Sequence, residues 1–562
     1  MADQKDSADP RVIIIGAGVG GLMMAIALKK RLNFQNFIIY EQSDDLGGTW
    51  NLNTYPGCAS DVATHWYSLS SDLNPDWDTS HVYQPQLKAY WKQLSAKYGI
   101  SGHIVYFTQF TGAEWDSQRQ MYRTEITDMR SGETRVEYTN IVISAIGCLN
   151  VPFYPEELRG IQTVFKGAHF HSARWNHSVD LRNKRVAVIG NGCSASQFVP
   201  LITEDPTTQV VNFCRTPNWI LPKASAWREP IPVWKRRIFK YVPFAMRLYR
   251  WALFVKYEST YVLVISGSPD RKVRKQVASD MRKYIQENAP EKYHDILTPK
   301  YAFGCKRFIV DSGYLEAFHR PNNELNYDGI AEVIESGILT KKGEHFDFDV
   351  IIQATGFVVD EYPIKVRGVD GSTIQDYFRE RGGPTSYRGT AFPNFPNFYT
   401  LFGPNMATGH GSVIHSEESQ VNYLVQMLQP ILSRQVSSFE VTHAATDDWN
   451  AFIQRRLGKS VWSVCQSWYR VGHSGKNCGI WPGTFTEQWW SLRKPIWSHY
   501  KALGASQWES KRFWKKVGRI LVLGILTATL TWMWTSPTDA LGILQTVKAQ
   551  VKGVLPLLLN SA

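Results

Sequence analysis

Val12-Ile13-Ile14-Ile15-Gly16-Ala17-Gly18-Val19-Gly20-Gly21 decides the fold of this chain. Four apolar residues read as a buried parallel strand, and the Gly-x-Gly-x-x-Gly that follows reads as the turn into a dinucleotide-binding helix. The three fingerprint glycines, Gly16, Gly18 and Gly21, have separate tasks: a tight turn, close backbone approach to a diphosphate, and close helix–strand contact. Leu22, Met23, Ala25, Ile26, Ala27 and Leu28 predict the helix, whose free N–H groups would face the diphosphate. Twenty-five residues past Gly16, the strand Phe37-Ile38-Ile39-Tyr40 ends in Glu41. An acidic residue there accepts a hydrogen bond from a free ribose 2′-OH.

Working outward, the pattern recurs with a different ending. Val186-Ala187-Val188-Ile189 precedes Gly190-Asn191-Gly192-Cys193-Ser194-Ala195, with an alanine that the fingerprint tolerates in last place. Twenty-five residues past Gly190, the strand Val210-Val211-Asn212-Phe213-Cys214 ends in Arg215. An arginine there accommodates a 2′-phosphate. One dinucleotide with a free 2′-OH and one with a 2′-phosphate are most simply FAD and NADPH, which points to a flavin oxidoreductase.

At 562 residues the chain is too long for one core, so two or three domains are expected. The net charge of +12 suits anionic cofactors or a membrane surface, and no nucleic-acid module is present to use it otherwise. Seven cysteines are scattered without a Cys-x-x-Cys pair. They predict free thiols in a reducing compartment, and they argue against a disulfide reductase, which also holds two dinucleotides. No metal is called for.

The expected fold is α/β, with two Rossmann-like dinucleotide-binding domains, a helical insertion and a hydrophobic C-terminal tail. Residues 1–155 read as the first part of the FAD domain, closed by Ile141-Val142-Ile143-Ser144-Ala145-Ile146-Gly147. Residues 160–345 read as the NADP domain, with an insertion over about 224–300. Trp234–Lys240 and Arg247–Phe254 look helical within it, and a helical cap with a solvated basic face is expected rather than a membrane-leaning or substrate-gating lid. Asp349–Phe357 reads as the chain's return to the first domain, whose second part spans 346–505.

The polar opening MADQKDSADP, with the first strand following at once, predicts no secretory signal peptide. The tail, 506–562, is different. Lys511, Arg512, Lys515, Lys516 and Arg519 precede fifteen uncharged residues, Ile520–Trp534, and a second apolar stretch runs over Leu541–Leu559. Residues 511–534 predict attachment of a cytosolic body to an intracellular membrane, as a short span or an interfacial helix. Docking on the body or in a dimer interface stays open as the alternative.

Two further motifs narrow the class. Gly47-Gly48-Thr49-Trp50-Asn51-Leu52-Asn53-Thr54-Tyr55-Pro56-Gly57-Cys58-Ala59-Ser60-Asp61 resembles, at every fixed position, the long fingerprint of Baeyer–Villiger monooxygenases, [A/G]GxWxxxx[F/Y]P[G/M]xxxD. Phe165-Lys166-Gly167-Ala168-His169-Phe170-His171-Ser172-Ala173-Arg174-Trp175 is similar to their shorter fingerprint FxGxxxHxxxW, with Asn176 next where the family usually has Pro or Asp. The resemblance covers about residues 8–500, and Asp61–Leu69 has the look of fungal-type members.

The resemblance implies tightly held FAD reduced by NADPH, addition of O₂ to give a C4a-peroxyflavin, and attack on a ketone that rearranges to an ester or lactone. It implies Arg307, of Lys306-Arg307, as the fixed positive charge beside the flavin, and Asp61 as its carboxylate partner. Arg307 suits the task because a guanidinium keeps its proton near a buried flavin. By the same carry-over, Thr49, Trp50, Asn51, Leu52, Asp61 and Tyr67 join Gly16, Gly18, Gly21 and Glu41 at the FAD. Ala59, Ser60 and Asp61 approach the nicotinamide end. Gly190, Asn191, Gly192, Cys193, Ser194, Ala195, Ser196 and Gln197 wrap the NADP diphosphate. Arg215, Thr216 and Lys306 hold the 2′-phosphate, with Arg307 nearby. Phe165, Gly167, His171 and Trp175 form a hinge between the domains. His410 and His415 have no assigned role.

The partners expected are O₂ and a small-molecule ketone of lipophilic, natural-product-like character. Oxidation of nitrogen or sulfur, uncoupled NADPH oxidation, and cofactor binding without turnover stand as alternatives. The related fingerprint of nitrogen and sulfur oxygenases ends in Tyr where Trp175 stands here.

Overall fold

The computed structural model describes residues 9–223, 228–472 and 474–535. It divides into two compact units, Met1–Leu432 with Ser438–Lys501, and Ser433–Ser437 with Ala502–Ala562.

The larger unit is built on two five-stranded parallel sheets. The first runs in the order Phe398–Thr400, Ile141–Ser144, Val12–Ile15, Phe37–Tyr40, Ile104–Val105. Val12, Ile13, Ile14 and Ile141–Ile143 are fully buried. That is the reason the strand reads as a continuous apolar run: helices cover both faces of a parallel sheet. The second sheet runs Asn323–Asn326, Gln209–Phe213, Arg185–Ile189, Val350–Gln353, Ala168–His171. Each fingerprint strand thus sits between the strand that leads to Glu41 or Arg215 and a return strand.

This symmetry corrects one expectation. Val350–Gln353 pairs with the fingerprint strand Arg185–Ile189 and does not return the chain to the first sheet. It closes the second unit as Ile141–Ser144 closes the first. The chain rejoins the first sheet later, where Phe398 pairs with Val142, so the second nucleotide unit is inserted within the first.

The insertion folds into helices Val233–Tyr241, Ala245–Thr260 and Lys272–Asn288; its start, 224–227, lies outside the described residues. Arg247 and Lys256 are exposed along Ala245–Thr260, as expected of a solvated basic face, but an apolar stripe is exposed with them. Phe244, at its N-terminus, Leu248, Trp251 and Val255 are spaced by four, three and four residues and are exposed, Phe244 to 71% and Trp251 to 64%. The opposite stripe of Met246, Arg250 and Leu253 is buried. Arginine faces inward here because backbone carbonyls receive it.

The smaller unit holds one long helix, Ser506–Thr535. Phe513, Trp514 and the large apolar side chains of Ile520–Ile525 stand exposed. Among the described residues no helix is long and apolar enough to cross a membrane. Leu541–Leu559 lies outside the described residues.

Candidate active site

Both fingerprint turns use their first glycine in the same way. Gly16 has φ +96° and Gly190 φ +111°. A Cβ on either would stand 2.8 Å from the Ala145 carbonyl oxygen and 2.4 Å from that of Ala354, respectively. Each turn is therefore wedged against the end of its return strand. Gly21 packs tighter still, since a Cβ there would lie 2.0 Å from the carbonyl oxygen of Gly16.

In the first unit the helix Val19–Leu32 begins at Gly18 with no side-chain cap, which leaves its first N–H groups open to an anion. Gly48 stands over Gly18, and a Cβ on it would come within 2.8 Å of the Gly18 Cα. Glu41 is buried at the sheet end and accepts hydrogen bonds from Ala17 N at 2.7 Å and Ser43 N at 2.9 Å. Thr49–Leu52 form a short helix. Thr49 is exposed and Leu52 half-buried, while Trp50 meets Tyr67 edge-on at 5.6 Å. The Asn51 amide is spent on the loop, donating to Ser43, Asp44 and the Asp45 carbonyl. A cleft opens at the carboxyl ends of this sheet, beside Ile146, Gly147, Cys148, Phe402, Gly403 and Pro404. Such ends are where open parallel sheets bind ligands.

In the second unit the helix Cys193–Ile202 begins at Gly192, also uncapped. Asn191 donates to the Thr216 carbonyl at 3.0 Å and to Tyr327 Oη at 3.3 Å, tying the turn to the segment after Arg215. Gln197 donates to the Ala59 carbonyl at 3.2 Å and accepts from Tyr55 Oη at 3.0 Å. It thereby fastens this helix to the long fingerprint, and Ser194 lies beside the same Tyr55. Ala195 and Ser196 are buried, and Ser60, also buried, bonds locally to Val62. Arg215 and Lys306 come together. Burial, and then the Arg215 charge, hold the Lys306 ammonium below the usual lysine range.

Between the two nucleotide-binding halves of the larger unit, Arg307 Nη2 donates to Asp61 Oδ2. Both side chains are partly accessible. The Asp61 carboxylate, opposed by burial, raises the Arg307 pKa above its ordinary value, so the guanidinium is permanently charged. Cys193, at the start of the second fingerprint helix, and Tyr469 both feel this pair. The strand of sequence behind it is pinned, because Cys305 is joined to Cys465 by a disulfide. That corrects the expectation of free thiols for these two. Their separation of 160 residues hid a pairing that only the fold creates.

The loop that carries Asp61 is held from the insertion. Ala63 N donates to Tyr257 Oη at 3.0 Å, and Arg250 donates to the Ser68 carbonyl at 3.1 Å and Ser68 Oγ at 3.0 Å, besides the His65 carbonyl. Sequence reading missed Tyr257, Arg250 and Tyr469. Only Arg250 left a trace, as a charge on the apolar stripe of its helix.

In the shorter fingerprint, Phe165 packs into the core of the second unit, and a Cβ on Gly167 would collide with Phe165 and with the Asp349 carbonyl. His171 is buried, accepts from Ala173 N at 3.1 Å, and is pushed down to about 4 by desolvation. Trp175 meets Phe170 and Phe198 edge-on. His410 packs between Tyr261 and Phe485, and His415 stacks on Trp66. Burial lowers them to about 3 and about 4, so both are neutral scaffold groups near neutral pH.

Comparison with known proteins agrees with this geometry. The flavin-binding monooxygenase-like family model matches residues 9–247. The chain is 36% identical over 481 residues to a Baeyer–Villiger monooxygenase of Pseudomonas aeruginosa, covering 84% of this chain and 88% of the relative. It is 31% identical over 560 residues to the FAD-binding monooxygenase ktnD of Aspergillus niger, covering 94% and 90%. The closed crystal structure of cyclohexanone monooxygenase matches with a TM-score of 0.76 at 24% identity, over 88% of this chain and 98% of that one, a likeness of fold. Relatives from a bacterium and a fungus leave the fungal-type reading of Asp61–Leu69 undecided.

Proposed function

Since this chain belongs to the Baeyer–Villiger monooxygenase family, we propose that it uses FAD and NADPH to insert one oxygen atom beside a ketone carbonyl, giving an ester or lactone. The observation that carries this reading is the Arg307–Asp61 pair, set between two dinucleotide cradles. The cradles fit the two cofactors. Each offers an uncapped helix N-terminus behind a glycine turn, one beside Glu41 and the other beside Arg215 and Lys306.

Bound FAD, reduced by NADPH, supplies the oxygen-activating chemistry. The chain's residues do the rest. Arg307 keeps a positive charge where negative charge develops on oxygen, in the manner of an oxyanion-stabilising group. Asp61 orients that guanidinium through a charge-assisted bond. Gln197 and Tyr55 keep the NADP-side helix against the loop that carries Asp61. Arg215 and Lys306 select the 2′-phosphate, and Glu41 the free 2′-OH of FAD.

The substrate is a lipophilic ketone, and the enzyme body sits on the cytosolic face of an intracellular membrane. Two exposed surfaces support this. One is the Phe244, Leu248, Trp251 and Val255 stripe, with Arg247 and Lys256 exposed on the same helix. The other is the tail helix, where exposed Lys511, Lys515, Lys516 and Arg519 precede its apolar stretch. Co-sedimentation with anionic vesicles but not neutral ones would support it, and no binding to either would remove it.

The deciding experiment is anaerobic reduction of the purified flavoprotein by NADPH, followed by oxygen with and without ketones. Spectral decay that ketone accelerates, with a product one oxygen heavier, is expected. Reoxidation to hydrogen peroxide at the same rate whatever the ketone would instead assign an NADPH oxidase.

A further inference from the structure

Glu417 belongs to none of the motifs above, yet it reaches the first cradle from the far side. It lies in the first turns of the helix Val413–Leu432, and only 6% of it is exposed. Its Oε2 is enclosed with no hydrogen-bond partner. Its Oε1 stands over Gly20, in the first turn of the helix that follows the FAD fingerprint, 3.0 Å from where a Cβ on Gly20 would project. Leu401 closes the same space.

A buried carboxyl group without a partner is costly unless something absent from the protein completes it. Here the missing partner has a definite chemistry. The N–H groups of Val19, Gly20 and Gly21 have no intrahelical acceptor and mark an anion site. Gly20 has no side chain with which to bond that anion.

Resting on the FAD reading above, we propose that Glu417, as a neutral carboxylic acid, donates a hydrogen bond to the FAD diphosphate, supplying from a distant helix the donor that Gly20 lacks. Its surroundings favour the acid form. Desolvation pushes the Glu417 carboxyl up to about 8. The titratable groups that feel its charge are Tyr67, on the Asp61 loop, and Cys148, after the return strand. Burial raises the Tyr67 phenol above its ordinary range and the Cys148 thiol to about 12, so both are neutral at pH 8. Leu401 and the first turn of the fingerprint helix carry no titratable side chain. On its own helix, Glu418 is bonded to Ser70 N and His415 is neutral near that pH. An ionised Glu417 would repel the diphosphate, so affinity follows the acid form.

The test uses the full-length holoenzyme, diluted over pH 6.5–9.5, with FAD release followed by recovery of free-flavin fluorescence. For the wild type, Kd is expected to stay flat below about 8 and then rise toward about tenfold per pH unit. Glu417→Gln keeps a donor without a charge and should hold a flat profile at the wild-type low-pH value. Glu417→Leu, which fills the space but donates nothing, should be flat and about tenfold weaker. A wild-type profile indistinguishable from that of Glu417→Gln, or a Glu417→Leu enzyme as tight as wild type, overturns the proposal. A wild-type protein that carries no FAD at any pH would overturn the cofactor reading itself.

Discussion

The two nucleotide units share a plan and differ in the side chains set at the ends of their second strands. In both, an apolar parallel strand ends in a glycine at positive φ, wedged against the carbonyl of Ala145 in one and Ala354 in the other. Beyond that turn they diverge. The first unit buries Glu41 and fixes both of its carboxylate oxygens on backbone N–H groups. The second presents two cations, Arg215 and Lys306, and burial, then the Arg215 charge, lowers the Lys306 pKa. A rigid acceptor suits a cofactor that stays. A pair of cations that an incoming phosphate relieves suits one that binds during turnover. On the proposed reading, the common strand and turn are architecture, and what each unit places at the end of its second strand selects its ligand.

The junction between the units carries the largest expected effect. Arg307→Ala removes the charge that Asp61 orients, while leaving both cradles intact. Flavin content should stay at the wild-type level, and ester formation should fall on the order of 10³-fold. NADPH oxidation should continue, with hydrogen peroxide in place of ester. An Arg307→Ala enzyme that still forms ester would disconnect the junction from the chemistry.

The third fingerprint position breaks the symmetry next. Gly21→Ala forces a methyl group to within 2.0 Å of the Gly16 carbonyl oxygen, so the strand–helix contact must open. That should cost about 3 kcal/mol or more and release FAD. The second unit already has Ala195 there, fully buried. Ala195→Gly should cost only about 1 kcal/mol, mainly from helix propensity. Thermal melting of the holoenzymes, with flavin release followed in parallel, measures both. Equal losses would mean that the two turns pack alike after all.

Much of this was legible because it is local. The strands, turns and ribose-reading residues lie within about thirty residues of one another, and parallel strands buried on both faces announce themselves as apolar runs. The pairing of Arg307 with Asp61 was reached through motif resemblance alone, since 246 residues separate them. What escaped was nonlocal or symmetric. The Cys305–Cys465 bond, Tyr257 against Ala63, and Glu417 over Gly20 exist only once the sheets are assembled. Val350–Gln353 was misplaced although its sequence, VIIQATG, repeats the IVISAIG that closes the first unit. Reading the two units as copies would have put it in the right sheet.

Coenzyme choice sharpens the comparison at the ribose end. Arg215→Ala should raise the KM for NADPH by roughly 30- to 100-fold, as expected for loss of a charge-assisted contact to phosphate, and leave that for NADH nearly unchanged. A parallel rise for both coenzymes would remove Arg215 from 2′-phosphate recognition.

Lys306 gives the smallest and most diagnostic effect. Burial, followed by the Arg215 charge, lowers its pKa, so its ammonium is lost at a lower pH than that of an exposed lysine. A 2′-phosphate favours the charged form. Affinity for NADPH should therefore be full below the Lys306 pKa and fall as pH rises through it, by roughly three- to tenfold over one pH unit. NADH, which lacks the phosphate, should show no such break. Lys306→Arg, charged throughout, should flatten the NADPH profile. Arg215→Ala should weaken binding overall and move the break to higher pH, because one of the two causes that depress Lys306 has been removed. KM for both coenzymes over pH 7–10, read from flavin reduction, separates these outcomes. Matching NADPH and NADH profiles would show that Lys306 is a half-buried cation with no part in the phosphate site. The second unit would then recognise its coenzyme through Arg215 alone, one residue at the end of one strand, as Glu41 does in the first.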